Sequence, residues 1–170
     1  MSDENAVRLE KIASHHSAAL LSFERENAEH FTQYVPPRPP EMLTTDGMTA
    51  AIQSLVDEME RGEGMYFVAL DGDDVVGRLN FTFDGEAAEV GYRVGKNASG
   101  RGLAGWMLNE GAAVVKTSGV ILRLTGHSLS TNPASIRVME RAGFELVHVD
   151  EGGGAKVGMS GDIHFFERQL

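Results

Sequence analysis

The sequence predicts an α+β domain over residues 1–170, with a mixed, mostly antiparallel twisted sheet of about seven strands and about four helices. Three observations lead to this. Three short apolar segments separated by Asp-Gly turn signals predict an antiparallel meander in the middle of the chain. A glycine-rich turn then opens directly into a helix, and only one further helical crossover precedes two closing strands.

The first sixty residues predict one strand and two helices. Alternation over Val7–Ile12 predicts a strand, and residues 14–31 predict a helix. The segment Tyr34–Pro40 interrupts that pattern because proline fixes φ and lacks an N–H donor, so we expect a surface loop close to the substrate. Asp46 or Thr49 is predicted to cap the second helix, whose apolar residues recur at helical spacing until two glycines end it.

The rest of the chain predicts the sheet and the two helices that cross it. Aspartate and glycine mark the turns of the meander, and Asn132 followed by proline is typical of a helix start. The predicted elements are strands Met65–Leu70, Val75–Phe83 and Ala87–Val94, a helix over 101–117, strand Val120–Thr125, helix Pro133–Ala142, and strands Phe144–Val149 and Gly161–Arg168.

Composition and charge exclude several classes of function. A net charge of −10 argues against nucleic-acid binding, and no apolar run approaches the ~20 residues that a membrane span needs. Without cysteine there is no disulfide, thiolate metal site or cysteine nucleophile, and no metal is expected. With no signal-peptide pattern we expect a cytoplasmic protein. Ten acidic residues between Asp57 and Glu89 form either a solvated face or a surface that attracts a cationic amine.

The glycine-rich turn is the most informative feature. Gly100 and Gly102 let the backbone approach a ligand without a Cβ in the way, and the following helix directs its positive end at the same place. A phosphate or pyrophosphate fits such a site. The spacing Gly100-x-Gly102-x-x-Gly105 also matches the dinucleotide-binding fingerprint, but it follows the meander rather than a first strand, and residues 122–127 lack the acid that would bind ribose.

Two segments carry a resemblance to a known family. Asn97-x-x-Gly100-x-Gly102 between strand and helix resembles the Gln/Arg-x-x-Gly-x-Gly/Ala element with which GNAT N-acetyltransferases cradle the pyrophosphate of acetyl-CoA. Residues 132–144, Asn-Pro-Ala-Ser followed by Gly-Phe, resemble the corresponding segment of the RimJ/RimL group, whose members acetylate the N-termini of ribosomal proteins. The resemblance is specific over residues 65–168 and only topological before them. Two departures are Asn97 in place of Gln or Arg, and Met139 where many GNAT enzymes carry a tyrosine that protonates the thiolate.

The resemblance implies a GNAT-like fold and transfer of an acetyl group from acetyl-CoA to a primary amine by direct attack. The acceptor is left open between a protein N-terminus and a small-molecule amine, and the oligomeric state is also open, a homodimer included. The alternative is a non-catalytic domain that binds or senses acyl-CoA. The implied cofactor-binding residues are Tyr92, Arg93, Val94, Asn97, Ser99, Gly100, Arg101, Gly102, Leu103, Ala104, Asn132, Ser135 and Arg141.

Two residues are predicted to carry the chemistry. Glu89 is the expected base for the amine, with Asp150 and Glu151 as second choices and His127 as a further residue of the cleft. Ser135 is the expected proton donor to the coenzyme thiolate. Each has a simpler alternative, since Glu89 could be a surface carboxylate and Ser135 a serine that faces solvent. Likewise Asn132 could act only as a helix cap, and Arg137 and Arg141 could face either the 3′-phosphate or water.

Overall fold

The computed structural model describes residues 6–170; residues 1–5, which the predicted domain includes, lie outside the described residues. One seven-stranded sheet has the order β1-β2-β3-β4-β5-β7-β6, and its neighbours pair antiparallel except for the parallel pair β4 and β5. The strands are β1 (Arg8–Lys11), β2 (Gly64–Asp71), β3 (Asp74–Asp84), β4 (Ala87–Val94), β5 (Arg123–Leu129), β6 (Glu145–Asp150) and β7 (Ile163–Gln169). The α+β fold with a mixed, mostly antiparallel sheet of seven strands is confirmed.

Helices cover both faces of the sheet, and each face has its own apolar core. They are α1 (Ser17–Glu26), α2 (Ala28–Phe31), α3 (Thr45–Glu60), α4 (Leu103–Thr117) and α5 (Pro133–Arg141). Because side chains alternate along a strand, β2 sends Tyr66, Val68 and Leu70 to the α1–α3 face and Phe67 and Ala69 to the α4–α5 face. Within residues 6–170, no helix is long and apolar enough to cross a membrane.

Two predicted helix boundaries were wrong. The helix predicted over 14–31 is interrupted at Asn27, whose Nδ2 donates to the Phe23 carbonyl and whose Oδ1 accepts from the Lys96 N–H at 2.8 Å. This interruption gives five α-helices instead of about four. The cap of α3 is Thr44, whose Oγ1 accepts from the Gly47 N–H at 3.0 Å, and not Asp46 or Thr49.

The strand predicted over Val120–Thr125 is displaced in the structure, where β5 begins only at Arg123. The apolar run that suggested an earlier start is a connection in which Ile121 is buried while Val120 and Leu122 are 60% and 51% exposed. The Leu122 N–H donates to the Glu86 carbonyl at 2.7 Å, which fixes this connection beside the start of β4. A prediction from the apolar and β-branched character of these residues alone therefore started the strand three residues too early.

Gly111 lies in the middle of α4 at the closest approach of that helix to β3. A Cβ built there would lie 2.8 Å from Cε2 of Phe81 and would also collide with Leu79, and both side chains are fully buried. Glycine is therefore retained for packing, although it costs roughly 1 kcal/mol of helix propensity against alanine.

We expect Gly111→Ala to lower the free energy of unfolding by about 1–3 kcal/mol, because overpacking outweighs the propensity gain. Urea denaturation measures this loss. Gly105→Ala is the matched control, since a Cβ at Gly105 in the same helix would meet no protein atom within 4 Å. A Gly111→Ala protein as stable as the control would contradict the packing argument.

Candidate active site

A wedge-shaped opening between β4 and β5 forms the centre of the site. The two strands pair only over Ala87–Glu89 and Arg123–Thr125 and then diverge. At the vertex, a Cβ on Gly126 would lie 2.8 Å from Cε of Met139 and 3.2 Å from Cγ1 of Val90, so glycine is needed there for α5 to pack against the diverging strands. The wall opposite β4 is formed by the part of β5 beyond this vertex, residues 127–129, and not by the residues 120–125 over which a strand was predicted.

The opening continues into a cleft of about 650 Å³. Its walls come from the diverging strands, the glycine-rich turn, the first turn of α5, α2 and the proline-rich loop. The lining includes His30, Phe31, Tyr34, Val35, Pro36, Val90, Gly91, Tyr92, Arg93, Val94, Ser99, Gly100, Gly102, Leu103, Ala104, His127, Ser128, Leu129, Asn132, Ser135, Val138, Met139 and Arg141. A mostly apolar cleft with a few convergent polar groups is the usual form of a small-molecule site.

The glycine-rich turn lies at one end of the cleft. Gly100 and Gly102 have φ of +77° and +76°, a region that disfavours any residue with a Cβ, and Gly102 directly precedes α4. Leu103 and Ala104 lie in the first turn of α4, where N–H groups have no intrahelical acceptor and can bind an anion. Ser99, by contrast, already donates its N–H to the Lys96 carbonyl at 3.3 Å, so this N–H is not free for an anion.

Two predicted cofactor residues are not at the cleft. Asn97, in the short turn Lys96–Ala98, and Arg101 are exposed and do not line it, whereas all the others do. Of the two arginines four residues apart on α5, Arg141 lines the cleft, and Arg137 is exposed outside it.

The start of α5 brings two hydroxyl groups together inside the cleft. Asn132 caps the helix through Oδ1, which accepts the Ser135 N–H at 3.2 Å, and its side chain also lines the cleft. Ser135 Oγ lies 2.9 Å from the Tyr92 hydroxyl, so the two share a hydrogen bond. Burial raises the pKa of Tyr92, against the opposing effect of the Ser135 hydrogen bond, so the phenol remains protonated at neutral pH.

The sequence interpretation assigned Tyr92 only to cofactor binding and missed the contact of its phenol with Ser135. The available signal was its alternation with Val90 and Val94, which puts all three side chains on the α4–α5 face of β4.

Glu89 and His127 meet at the rim of the cleft. Glu89 Oε1 lies 3.7 Å from His127 Nδ1, and the two side chains are 62% and 53% exposed. His127 lines the cleft, whereas Glu89, the expected base, does not. Asp150, which accepts from Lys156 at 2.8 Å on the edge strand β6, and Glu151 are also outside the cleft.

A second feature lies on the opposite face of β4, where Glu24 of α1 is 1% exposed. Its Oε1 is 2.8 Å from Arg78 Nη1, and its Oε2 is 3.0 Å from Arg38 Nε and 3.4 Å from Arg93 Nη1. Burial alone would raise the pKa of Glu24, but Arg38 and Arg78 hold it below its usual range. The Arg93 side chain, at an odd position of β4, thus faces α1 and not the α4–α5 side.

One cluster of side chains has the composition of a metal site. The ligand atoms of Glu10, His15 and His16 lie within 4.8 Å of one another, and His16 is 3% exposed. Its Nδ1 accepts the Ala13 N–H at 3.0 Å, so in neutral imidazole the proton is on Nε2, 3.5 Å from Glu10 Oε2. Burial and the neighbouring His15 lower the pKa of His16, which favours this neutral form. A protonated Nε2 has no lone pair for a metal, and we interpret the buried His16 as a structural residue that is held through Nδ1 by the Ala13 N–H.

The sequence matches the family model of the acetyltransferase (GNAT) domain over residues 6–145. No curated protein sequence matches the chain. Several solved structures share the fold at low sequence identity. The ribosomal-protein-S5-alanine acetyltransferase of Vibrio fischeri superimposes with a TM-score of 0.89 at 18% identity, covering 96% of this chain and 92% of that one.

Some of the similar structures contain the coenzyme. RimJ of Mycobacterium smegmatis, in complex with CoA-disulfide, has a TM-score of 0.85 at 18% identity and covers 98% of this chain and 83% of that one. The microcin C7 self-immunity acetyltransferase MccE, in complex with acetyl-CoA and AMP, has a TM-score of 0.84 at 20% identity and covers 96% and 92%. At these identities the likeness to solved structures establishes the fold.

Proposed function

Because this chain belongs to the GNAT acetyltransferase family, we propose that it transfers the acetyl group of acetyl-CoA to a primary amine by direct attack in a ternary complex. The acceptor is a protein N-terminus or a small-molecule amine. The observation that carries the proposal is one continuous cleft, which runs from the anion-binding turn at α4 to the hydroxyl pair at the start of α5.

The cleft supports a specific placement of acetyl-CoA. The pyrophosphate would bind at Gly100 and Gly102, where the first N–H groups of α4 are available. The pantetheine arm would extend along Arg93 and Val94, because β4 pairs with β5 only as far as Glu89 and its backbone on that side is open beyond it. Asn132 would contact the arm, and Arg141 would be near the 3′-phosphate.

The chemistry then needs two proton transfers. As the amine nitrogen bonds to the acetyl carbon, its proton must leave, and Glu89 accepts it through His127 or a water molecule. As the carbon–sulfur bond breaks, the thiolate takes a proton from Ser135, which Tyr92 replaces through their shared hydrogen bond. Direct attack is consistent with a sequence that contains no cysteine to form an acyl-enzyme.

One observation favours the alternative, a non-catalytic acyl-CoA-binding domain. Met139 occupies the position of the tyrosine that protonates the thiolate in many GNAT enzymes, and it is 2% exposed and has no proton to give. The two functions differ in turnover. A domain that binds acetyl-CoA but acetylates no amine in a broad panel would be a binding domain.

The cofactor assignment is tested by thermal unfolding with and without acetyl-CoA. At a ligand concentration about 100 times its dissociation constant, binding adds roughly 2.7 kcal/mol, which should raise the Tm by about 5–10 °C for a chain of this size. NAD should give no shift, and pantetheine, which lacks the pyrophosphate, should give a smaller one. A shift with NAD and none with acetyl-CoA would overturn the interpretation of the turn.

A further inference from the structure

The cluster around Glu24 contains more positive charge than it can neutralise internally. Three guanidinium groups face one carboxylate, a surplus of two positive charges. Arg78 is the most buried of the three, at 6% exposed, and its Nη1 donates to Glu24 Oε1 at 2.8 Å, while Arg38 and Arg93 share Oε2. The charges of Arg38 and Arg93 therefore remain without a carboxylate of their own.

The two surplus guanidiniums line a pocket of about 170 Å³, which adjoins the larger cleft. Phe31, Pro36 and Arg93 line both spaces, so the pocket opens beside the site where acetyl-CoA is proposed to bind. The Arg93 guanidinium lies over the Phe31 ring, with Cζ 5.0 Å from its centroid, and this contact holds it at the junction. Arg38, the other guanidinium of the lining, comes from the proline-rich loop.

The donors of this cluster are incompletely satisfied by the protein. Nε of Arg78 and Nε of Arg38 are buried without an aligned hydrogen-bond acceptor among the described residues, although Arg38 Nε is close to Glu24. Burial, together with repulsion from Arg38, lowers the pKa of Arg93 to about 10. Among residues 6–170, the one other carboxylate in the lining is Glu29, which is exposed. An anion bound in the pocket would supply Arg38 and Arg93 with a further partner.

We propose that this pocket binds a carboxylate of the acceptor, so that the enzyme acetylates amines that carry a nearby carboxylate. Planar guanidiniums bind a carboxylate through paired, charge-assisted hydrogen bonds, and a pocket of about 170 Å³ accommodates that group. Glu89 and Arg93 lie on the same face of β4, which would direct the amine towards the rim base and the carboxylate towards the arginines. The carboxylate belongs either to a free amino acid or to an acidic residue near a peptide N-terminus. This inference rests on the proposed acetyltransferase function.

The test compares each acceptor with its uncharged isostere. One arm uses free amino acids and their amides, and the other uses peptides that differ only in Asp or Asn at the second position. In the arm whose acceptors are of the kind that the enzyme acetylates, kcat/KM should be roughly 10- to 100-fold higher for the acceptor with the carboxylate than for its amide. In Arg38→Gln that preference should fall towards unity, and Arg38→Lys should restore part of it. The control Arg61→Gln removes an exposed arginine that lines neither the pocket nor the cleft and should keep the preference.

A second readout does not depend on turnover. Calorimetric titration of the CoA-bound protein measures the affinity for acetylated products. N-acetylated amino acids or peptides that carry the carboxylate should bind more tightly than the matching products with an amide in its place, and Arg38→Gln should remove this difference. Equal binding and equal kcat/KM for carboxylates and amides in both arms would overturn this inference and leave the acetyltransferase proposal intact. Absence of any turnover, with acetyl-CoA bound, would instead contradict the acetyltransferase proposal.

Discussion

Replacing Glu24 by glutamine is expected to lower the free energy of unfolding by about 3–5 kcal/mol, because it leaves three guanidinium groups without their shared counter-charge. Glutamine has nearly the same shape and can still accept a hydrogen bond. The loss of unfolding free energy therefore measures the removal of the negative charge and not the creation of a cavity. Since natural domains have about 5–15 kcal/mol of stability, this is a large fraction of the total. Urea denaturation at neutral pH measures it through the midpoint, with an unchanged m-value.

The control for Glu24→Gln is Glu63→Gln. Glu63 also pairs with an arginine at 2.8 Å, but both side chains are more than half exposed, so solvent screens the interaction and the change should be far smaller. If the two variants lost the same stability, the Glu24 cluster would contribute no more than a surface ion pair.

The Glu24 effect should also depend on pH in a defined direction. Its arginine partners hold the folded-state pKa below the unfolded value of about 4.3. The stabilisation is therefore fully present above that value and is lost as the pH falls through the folded-state pKa. The stability difference between the natural protein and Glu24→Gln should be constant from pH 5 to 7 and should narrow only at lower pH.

Local patterns were sufficient for the sheet meander and for the glycine-rich turn. Ala87–Val94 was predicted to the residue because Asp84-Gly85 ends the previous strand and glycine ends this one, and both signals are local. The turn at Gly100 and Gly102 was recognisable for the same reason, since positive φ is a property that glycine itself supplies. The family resemblance then indicated what such a turn binds.

Features that depend on distant parts of the chain were not accessible in this way. Glu24 and Arg78 are 54 residues apart, and nothing in their local sequence signals a buried ion pair. The start of β5 is fixed by the contact of Leu122 with Glu86, again a long-range interaction. The position of Glu89 outside the cleft follows from which side of β4 faces α5, and alternation alone gives two faces without saying which one binds the ligand.

The second large expected effect concerns the protonation of the coenzyme thiolate. Ser135→Ala should lower kcat by about 100-fold or more with acetyl-CoA affinity nearly unchanged, because it removes a proton donor and leaves the anion-binding turn intact. Tyr92→Phe should give a smaller loss, since Ser135 then exchanges its proton with solvent. Steady-state rates with a free amine give kcat, and thermal shift gives coenzyme affinity. Ser118→Ala, at the far end of α4, is the serine control.

The removal of the amine proton is tested by Glu89→Gln in the same assay. If Glu89 accepts the amine proton through His127, the variant should lose turnover mainly at neutral pH and recover part of it at higher pH, where more amine is already deprotonated. Ser135→Ala should show no such recovery, because its defect concerns the departing thiolate. Wild-type rates in both variants would contradict these two assignments, and the hydroxyl pair and the rim carboxylate would then have only structural roles.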